Sequence, residues 1–161
     1  MPPREGWTPK GKAATDVVLQ TFRANGLFLA AGDVLAGEEG LTAARWQVLG
    51  AVEVAGRPLT VPQIARRMGL TRQAVQASVN RLLGDGLIEA GENPEHRRSP
   101  LIRMTEPGSR KYAAIQKRQA AWINELAAGL KRSELATTAR VLQELSNRLD
   151  RERRGDDDGT P

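Results

Sequence analysis

The sequence predicts a mainly α-helical chain with a small β-wing: a winged helix-turn-helix flanked by N- and C-terminal dimerisation helices. Three observations carry this. "LTVPQIARRMGLTRQAVQASVNRLLGDG" (residues 59–86) reads as a short helix, a glycine turn and a second helix with a small, polar outer face. It leads into two short apolar segments, "GLIEA" and "LIRM", separated by "NPEHRRSP", the pattern of a hairpin. Long stretches on either side carry apolar residues at helical spacing, more than one small lobe can cover.

In chain order, residues 1–12 mix Pro, Gly and Lys and are expected to form a flexible arm. Residues 13–36 follow a helical pattern through Val17, Val18, Phe22 and Leu29, with Gly26 and Gly32 marking a bend or a tight contact. The DNA-binding lobe is expected over 37–105. Thr42 can cap a helix whose apolar face carries Trp46, Leu49, Val52 and Val54, and Gly56 can end it. Thr60 and Gln63 form a capping box, Pro62 fits the first turn and Gly69 stops that helix. Thr71 caps the next, whose stripe is Val75, Val79, Leu82 and Leu83. At 100° per residue the opposite side shows Gln73, Gln76, Ala77, Asn80 and Arg81, with Arg72 at the N-terminal end. In the second strand Ile102 and Met104 share a face. Residues 106–150 form two dimerisation helices. Tyr112, Ile115, Trp122 and Leu126 make the first stripe, which Gln119 interrupts; Leu135, Thr138, Leu142, Leu145 and Leu149 make the second. A second copy of the chain is the simplest cover for these. The end, 151–161, reads as a disordered charged tail.

Composition narrows the function. The 161 residues carry a formal net charge of +5, which favours a polyanionic partner. From Val61 to Arg110 there are eight arginines, no lysines and five acids; arginine suits bidentate contact with phosphate and guanine. There is no cysteine, so disulfides and thiol sensing are excluded. The N-terminus lacks the apolar core of a secretory signal and the longest apolar run is five residues, "LFLAA", so a cytoplasmic protein without membrane contact is expected. No Ser-His-Asp arrangement, glycine-rich phosphate loop or metal-ligand spacing occurs, so no enzyme, no metal and no cofactor is expected. His96 has no second histidine beside it, and "DDD" at Asp156–Asp158 reads as solvated charge rather than a cation site.

The order of elements resembles the MarR family of bacterial and archaeal transcriptional regulators. The matching stretches are "GLTAARWQVLGAV", residues 59–108 and the paired C-terminal helices, together most of residues 13–150. The resemblance implies a homodimer that binds double-stranded DNA at a pseudo-palindromic operator, more often as a repressor. The recognition helix maps onto Thr71, Arg72, Gln73, Gln76, Ala77, Asn80 and Arg81, and the wing onto His96, Arg97 and Arg98. Many members have Asp just before the paired arginines, where this chain has His96. The resemblance also implies a small aromatic or anionic effector between the dimerisation helices and the lobe; Asp33, Arg45 and Trp46 lie near that place. The dimer interface maps onto Val17, Val18, Phe22, Ile115, Trp122, Leu126, Leu142, Leu145 and Leu149.

Two function classes compete on these residues. Amides on a low-charge helix face suit base edges, and Arg97 and Arg98 on a hairpin tip suit a minor groove or phosphate. Arg66, Arg67 and Arg81 read equally as phosphate contacts or plain surface charge. The alternative is a winged-helix protein-interaction module without specific DNA binding. Steep log-linear loss of affinity with salt separates the two.

Overall fold

A threonine opens each of the first four helices. Thr8, Thr42, Thr60 and Thr71 have extended backbones, and their hydroxyls accept from Gly11, Arg45, Gln63 and Ala74 N–H. Each cap satisfies an orphan donor and is worth about 1 kcal/mol. The computed structural model describes residues 6–157. The order is α1 (Pro9–Gly37), α2 (Ala43–Ala55), α3 (Val61–Met68), α4 (Arg72–Gly84), β1 (Ile88–Gly91), β2 (Leu101–Met104), α5 (Glu106–Leu126) and α6 (Arg132–Asp157). The strands pair antiparallel, Ile88 opposite Met104 and Gly91 opposite Leu101. The fold class is therefore the expected one, six helices and a two-stranded wing. No helix among the described residues is long and apolar enough to cross a membrane.

Chain packing divides the described residues at Ala120. The first unit holds the core. Val48, Leu49, Leu59, Ile64, Val75, Val79, Leu82, Ile102 and Ile115 are fully buried and form one cluster with Tyr112 and Leu87. Leu59 and Ile64 flank the Thr60 cap as a hydrophobic staple, both buried. Leu59 also exchanges both backbone hydrogen bonds with Ile102, at 3.1 and 2.8 Å, and so ties the α2–α3 connection to the wing. The sequence shows Leu59 only as the residue before a cap; its pairing depends on a strand more than forty residues away.

Several expectations are corrected. The arm is shorter than residues 1–12, because Thr8 and Pro9 start α1; residues 1–5 lie outside the described residues. The outward face of α2 carries Val54, which is 78% exposed, while Val48 is buried in its place. The apolar run "WQVLGAVEVA" fits two helical faces, and only the lobe's other helices choose between them. Ile115, expected at a dimer interface, is 0% exposed in the single chain and belongs to the lobe core. The lobe therefore does not end at residue 105; α5 belongs to it as far as Ala120. Arg118 fixes that helix, donating to Leu35 O and pairing with Glu38 at 3.2 Å and Glu39 at 2.9 Å, while Lys111 bonds Glu39 O. These cations also complement the negative C-terminal end of α1.

The second unit, from Ala121 onward, has a different character. None of its described residues to Glu152 is buried. Helix α6 continues to Asp157, so residues 151–157, expected in the disordered tail, are helical; 158–161 lie outside the described residues. Arg and Glu are good helix formers, and Arg148 donates to Glu144 at 2.8 Å one turn away. That bond holds the Glu144 carboxyl below the usual carboxylate range.

One contact fixes where α5 starts. A Cβ on Gly108 would lie 2.0 Å from the Leu87 carbonyl oxygen and 3.0 Å from Met104 Cγ. The first is backbone and cannot swing away. Gly108→Ala is therefore expected to cost about 1–3 kcal/mol by overpacking, read as a lower urea midpoint. Gly84→Ala, with nothing within 4 Å and no positive φ, should be neutral or stabilising by about 0.4–1 kcal/mol. Equal midpoints for the two variants would mean that this contact is not tight.

Candidate nucleic-acid interface

Between α3 and α4 the chain must turn sharply. Gly69 does so at φ 64°, ψ 26°, donating to the Ala65 and Arg66 carbonyls, and Leu70 N–H returns to Ala65 O at 3.0 Å. This closes α3 in a Schellman-type turn and releases the chain at Thr71, the cap of α4. Val75, Val79 and Leu82 then lock one face of α4 into the core. The 3.6-residue period leaves Arg72, Gln73, Gln76, Ala77, Asn80 and Arg81 exposed on the other. Along that face Gln76 Nε2 donates to Asn80 Oδ1 at 2.8 Å. Arg66 and Arg67 are exposed on the last turn of α3.

The wing loop is held from within. Asn93 Nδ2 donates to Ser99 O at 2.8 Å and its Oδ1 accepts from Glu95 N at 3.2 Å. His96 N donates to Asn93 O at 3.1 Å and Ser99 N to His96 O at 2.9 Å. The first two bonds come from one short amide, an Asx-type turn. Asn93 thus orders a loop that has His96 before its arginines; in the sequence it is simply the first residue of "NPEHRRSP".

Wing and helix meet in a cleft of about 350 Å³, lined by Arg72, Gln73 and Gln76 of α4, Val61 and Pro62 at the start of α3, and Arg98, Ser99 and Pro100 of the wing. Four of the sequence-predicted residues are brought together here: Arg72, Gln73, Gln76 and Arg98. His96 and Arg97 are exposed in the same loop but do not line it, so the paired arginines divide between cleft and tip. Sequence reasoning missed Val61 and Pro62 as lining, because nothing local shows that the start of α3 faces the wing. The four exposed or cleft-lining cations on α4 and the wing tip, Arg72, Arg81, Arg97 and Arg98, are all guanidinium groups.

This geometry agrees with what the chain is similar to. Residues 39–99 match the MarR family. Uncharacterised proteins of Mycobacterium tuberculosis and Mycobacterium bovis are 43% identical over 137 residues, spanning 85% of this chain and 94% of theirs. The chain belongs to the MarR family. MarR regulators of known structure share its fold. A MarR/EmrR family regulator from Acinetobacter sp. ADP1 superposes with a TM-score of 0.74 at 22% identity, over 86% of this chain and 97% of that one. CouR from Rhodococcus jostii RHA1, bound to p-coumaroyl-CoA, gives 0.73 at 23%, over 83% and 93%. BpsR of Bordetella bronchiseptica, whose DNA binding is regulated by 6-hydroxynicotinic acid, gives 0.69 at 21%, over 81% and 98%. Members of the MarR family are transcription regulators, not enzymes.

The other residues singled out in this MarR-family chain fall as follows. Asp33 Oδ1 accepts from Ala43 N at 2.7 Å, at the start of α2. Arg45 pairs with Asp85, the C-cap of α4, at 3.1 Å and donates to Gly40 O at 3.1 Å. Trp46 is half-buried beside Gly32, where a Cβ would lie 3.6 Å from its ring and 2.9 Å from Ala43 Cβ. Two of the three expected effector residues are thus engaged in holding α2 in place, and the Gly32 contact is the tight packing its position suggested. Of the expected dimer residues other than Ile115, Val17 is half-buried and Val18 and Phe22 are exposed. In the second unit Trp122, Leu142 and Leu145 are half-buried, and Leu126 and Leu149 exposed.

Asn93→Ala deletes two bonds of the wing. At about 0.5–1.5 kcal/mol per bond, amide exchange at Glu95 and Ser99 should quicken by roughly two- to tenfold, with the core amides of α2 and α4 unchanged. Unaltered exchange at both residues would show that the loop is ordered by other contacts.

Proposed function

We propose that this MarR-family regulator binds specific DNA sequences as a homodimer, at a pseudo-palindromic operator, and acts as a repressor. The observation that carries the reading is the cleft, where Arg98 of the wing and Arg72, Gln73 and Gln76 of α4 come together. Exposed amides suit adenine's paired donor and acceptor in the major groove, and guanidinium groups on either side suit phosphate. The wing tip, with Arg97, then reaches the flanking minor groove, which is most negative where A·T-rich sequence narrows it.

Dimerisation is supported by the second unit. Leu126, Leu130, Leu135 and Leu149 are each 43% exposed or more, and no described residue there to Glu152 is buried. Exposed apolar surface of that extent marks an association site. On α1, Phe22 is 71% exposed with Val18 and Leu19 beside it. Two lobes in one dimer engage successive major-groove faces about one helical turn apart. A small aromatic or anionic effector that alters the spacing lowers affinity, because both half-sites must be engaged together. Ligand-bound relatives such as CouR support an effector here. Trp46, with Asp33 and Arg45 beside it, is the place to look.

Light scattering at micromolar concentration should give twice the chain mass, and Leu145→Asp should weaken association tenfold or more. A monomeric wild type would remove the spacing mechanism.

Binding isotherms at several salt concentrations test the DNA reading. Affinity should fall log-linearly, with a slope of about −0.9 per phosphate contact. Replacing Arg97 and Arg98 by alanine should weaken binding to specific and random duplex alike and reduce the slope by roughly one to two, leaving the dimer intact. A wild type with no salt-dependent duplex binding would leave the lobe as a protein-interaction module.

A further inference from the structure

Gln76 and Asn80 lie one turn apart on the exposed face of α4, and Gln76 Nε2 donates to Asn80 Oδ1 at 2.8 Å. The bond by itself is ordinary helix chemistry. Gln143 and Asn147 make the same one at 3.1 Å on α6. What differs is the place: Gln76 lines the cleft with Arg72, Gln73 and Arg98. Counting donors and acceptors then has consequences. A glutamine amide has two N–H donors and a carbonyl oxygen with two lone pairs. With one N–H committed to Asn80, Gln76 keeps one N–H and its oxygen, the single donor and acceptor that the N7 and N6 edge of adenine requires. Asn80, with one lone pair of its oxygen engaged, keeps both N–H donors, which suit a base edge rich in acceptors: O6 and N7 of guanine or O4 of thymine.

We infer that Asn80 orients Gln76, so that the two amides form one reading unit for an adenine next to a guanine or thymine. Asn80 is thus a positioning residue for Gln76 as well as a contact of its own. The inference rests on the DNA-binding reading and adds to it which base step is read, and that the two positions are read together. A free glutamine side chain can present either end of its amide to a base; one held by its neighbour presents a single order of donor and acceptor, and loses less freedom on binding.

The test is selection from random duplexes by the purified full chain, comparing wild type with Gln76→Ala, Asn80→Ala, Asn80→Asp and, as a control, Asn147→Ala. Wild type should prefer adenine at one position of each half-site by roughly 5- to 150-fold, the range for a bidentate amide contact. Gln76→Ala should abolish that preference. Asn80→Ala should reduce it to within about twofold of the other bases, and should also relax the adjacent guanine or thymine. Asn80→Asp keeps the acceptor for Gln76. It should preserve the adenine preference while losing the adjacent one and lowering overall affinity. Asn147→Ala should change nothing. The inference is overturned if Asn80→Ala leaves the adenine preference at its wild-type value, or if Asn80→Asp abolishes it as fully as Asn80→Ala does. A wild type that selects no motif defeats the DNA-binding reading and this inference with it. A motif that survives Asn80→Ala at the Gln76 position defeats this inference alone.

Discussion

Two backbone hydrogen bonds between Leu59 and Ile102 hold the arrangement on which the candidate interface depends. A two-stranded hairpin is marginal on its own. Here Ile102 is fully buried and its backbone is paired with Leu59 as well as with β1. Leu59 in turn sits one residue before the cap of α3. The wing is thereby referenced to the start of the helix-turn-helix, and the cleft between them follows. Without that pairing the distance from Arg98 to Arg72 would be set by the burial of Ile88 and Ile102 alone, with no backbone bond from the hairpin to the start of α3.

Helix α5 is held to the same lobe at two points. Near its start Gly108 lets its backbone meet the Leu87 carbonyl. Ten residues on, roughly 15 Å along the helix, Arg118 binds Glu38, Glu39 and the Leu35 carbonyl. Between them Tyr112 and Ile115 fill the core. Arg45 plays a comparable part at α2, joining its first turn to Asp85 at the end of α4. Helix α4 is therefore braced at its C-terminal end by an ion pair and along its length by Val75, Val79 and Leu82.

What was legible in the sequence is what local chemistry determines. Thr-x-x-Gln, Pro in the first turn, and Gly after the last apolar residue placed α3 to the residue, and Thr71 placed the start of α4; alternation around "NPEHRRSP" placed the wing. Periodicity was weaker wherever a helix had two apolar faces. It could not tell Val48 from Val54, nor show that Ile115 serves the lobe while Trp122, seven residues on, lies past the lobe's end. Those choices are made by the assembled core, whose buried cluster takes in Val48 and Ile115 but neither Val54 nor Trp122. The charged end of α6 misled for another reason. Polarity without apolar residues suggests disorder, yet Arg and Glu are good helix formers and the helix continues to Asp157. In the candidate interface, residue types on α4 and in the wing were readable; their meeting in one cleft was not.

The use of arginine alone between Val61 and Arg110 has a metabolic consequence. Acyl-CoA thioesters and acetyltransferases neutralise lysine amines, and in a lysine-rich lobe that chemistry would erode positive charge. This lobe offers them no amine over that span. Acylation of lysine therefore removes no charge between Val61 and Arg110, and the guanidinium groups there keep theirs at any physiological pH.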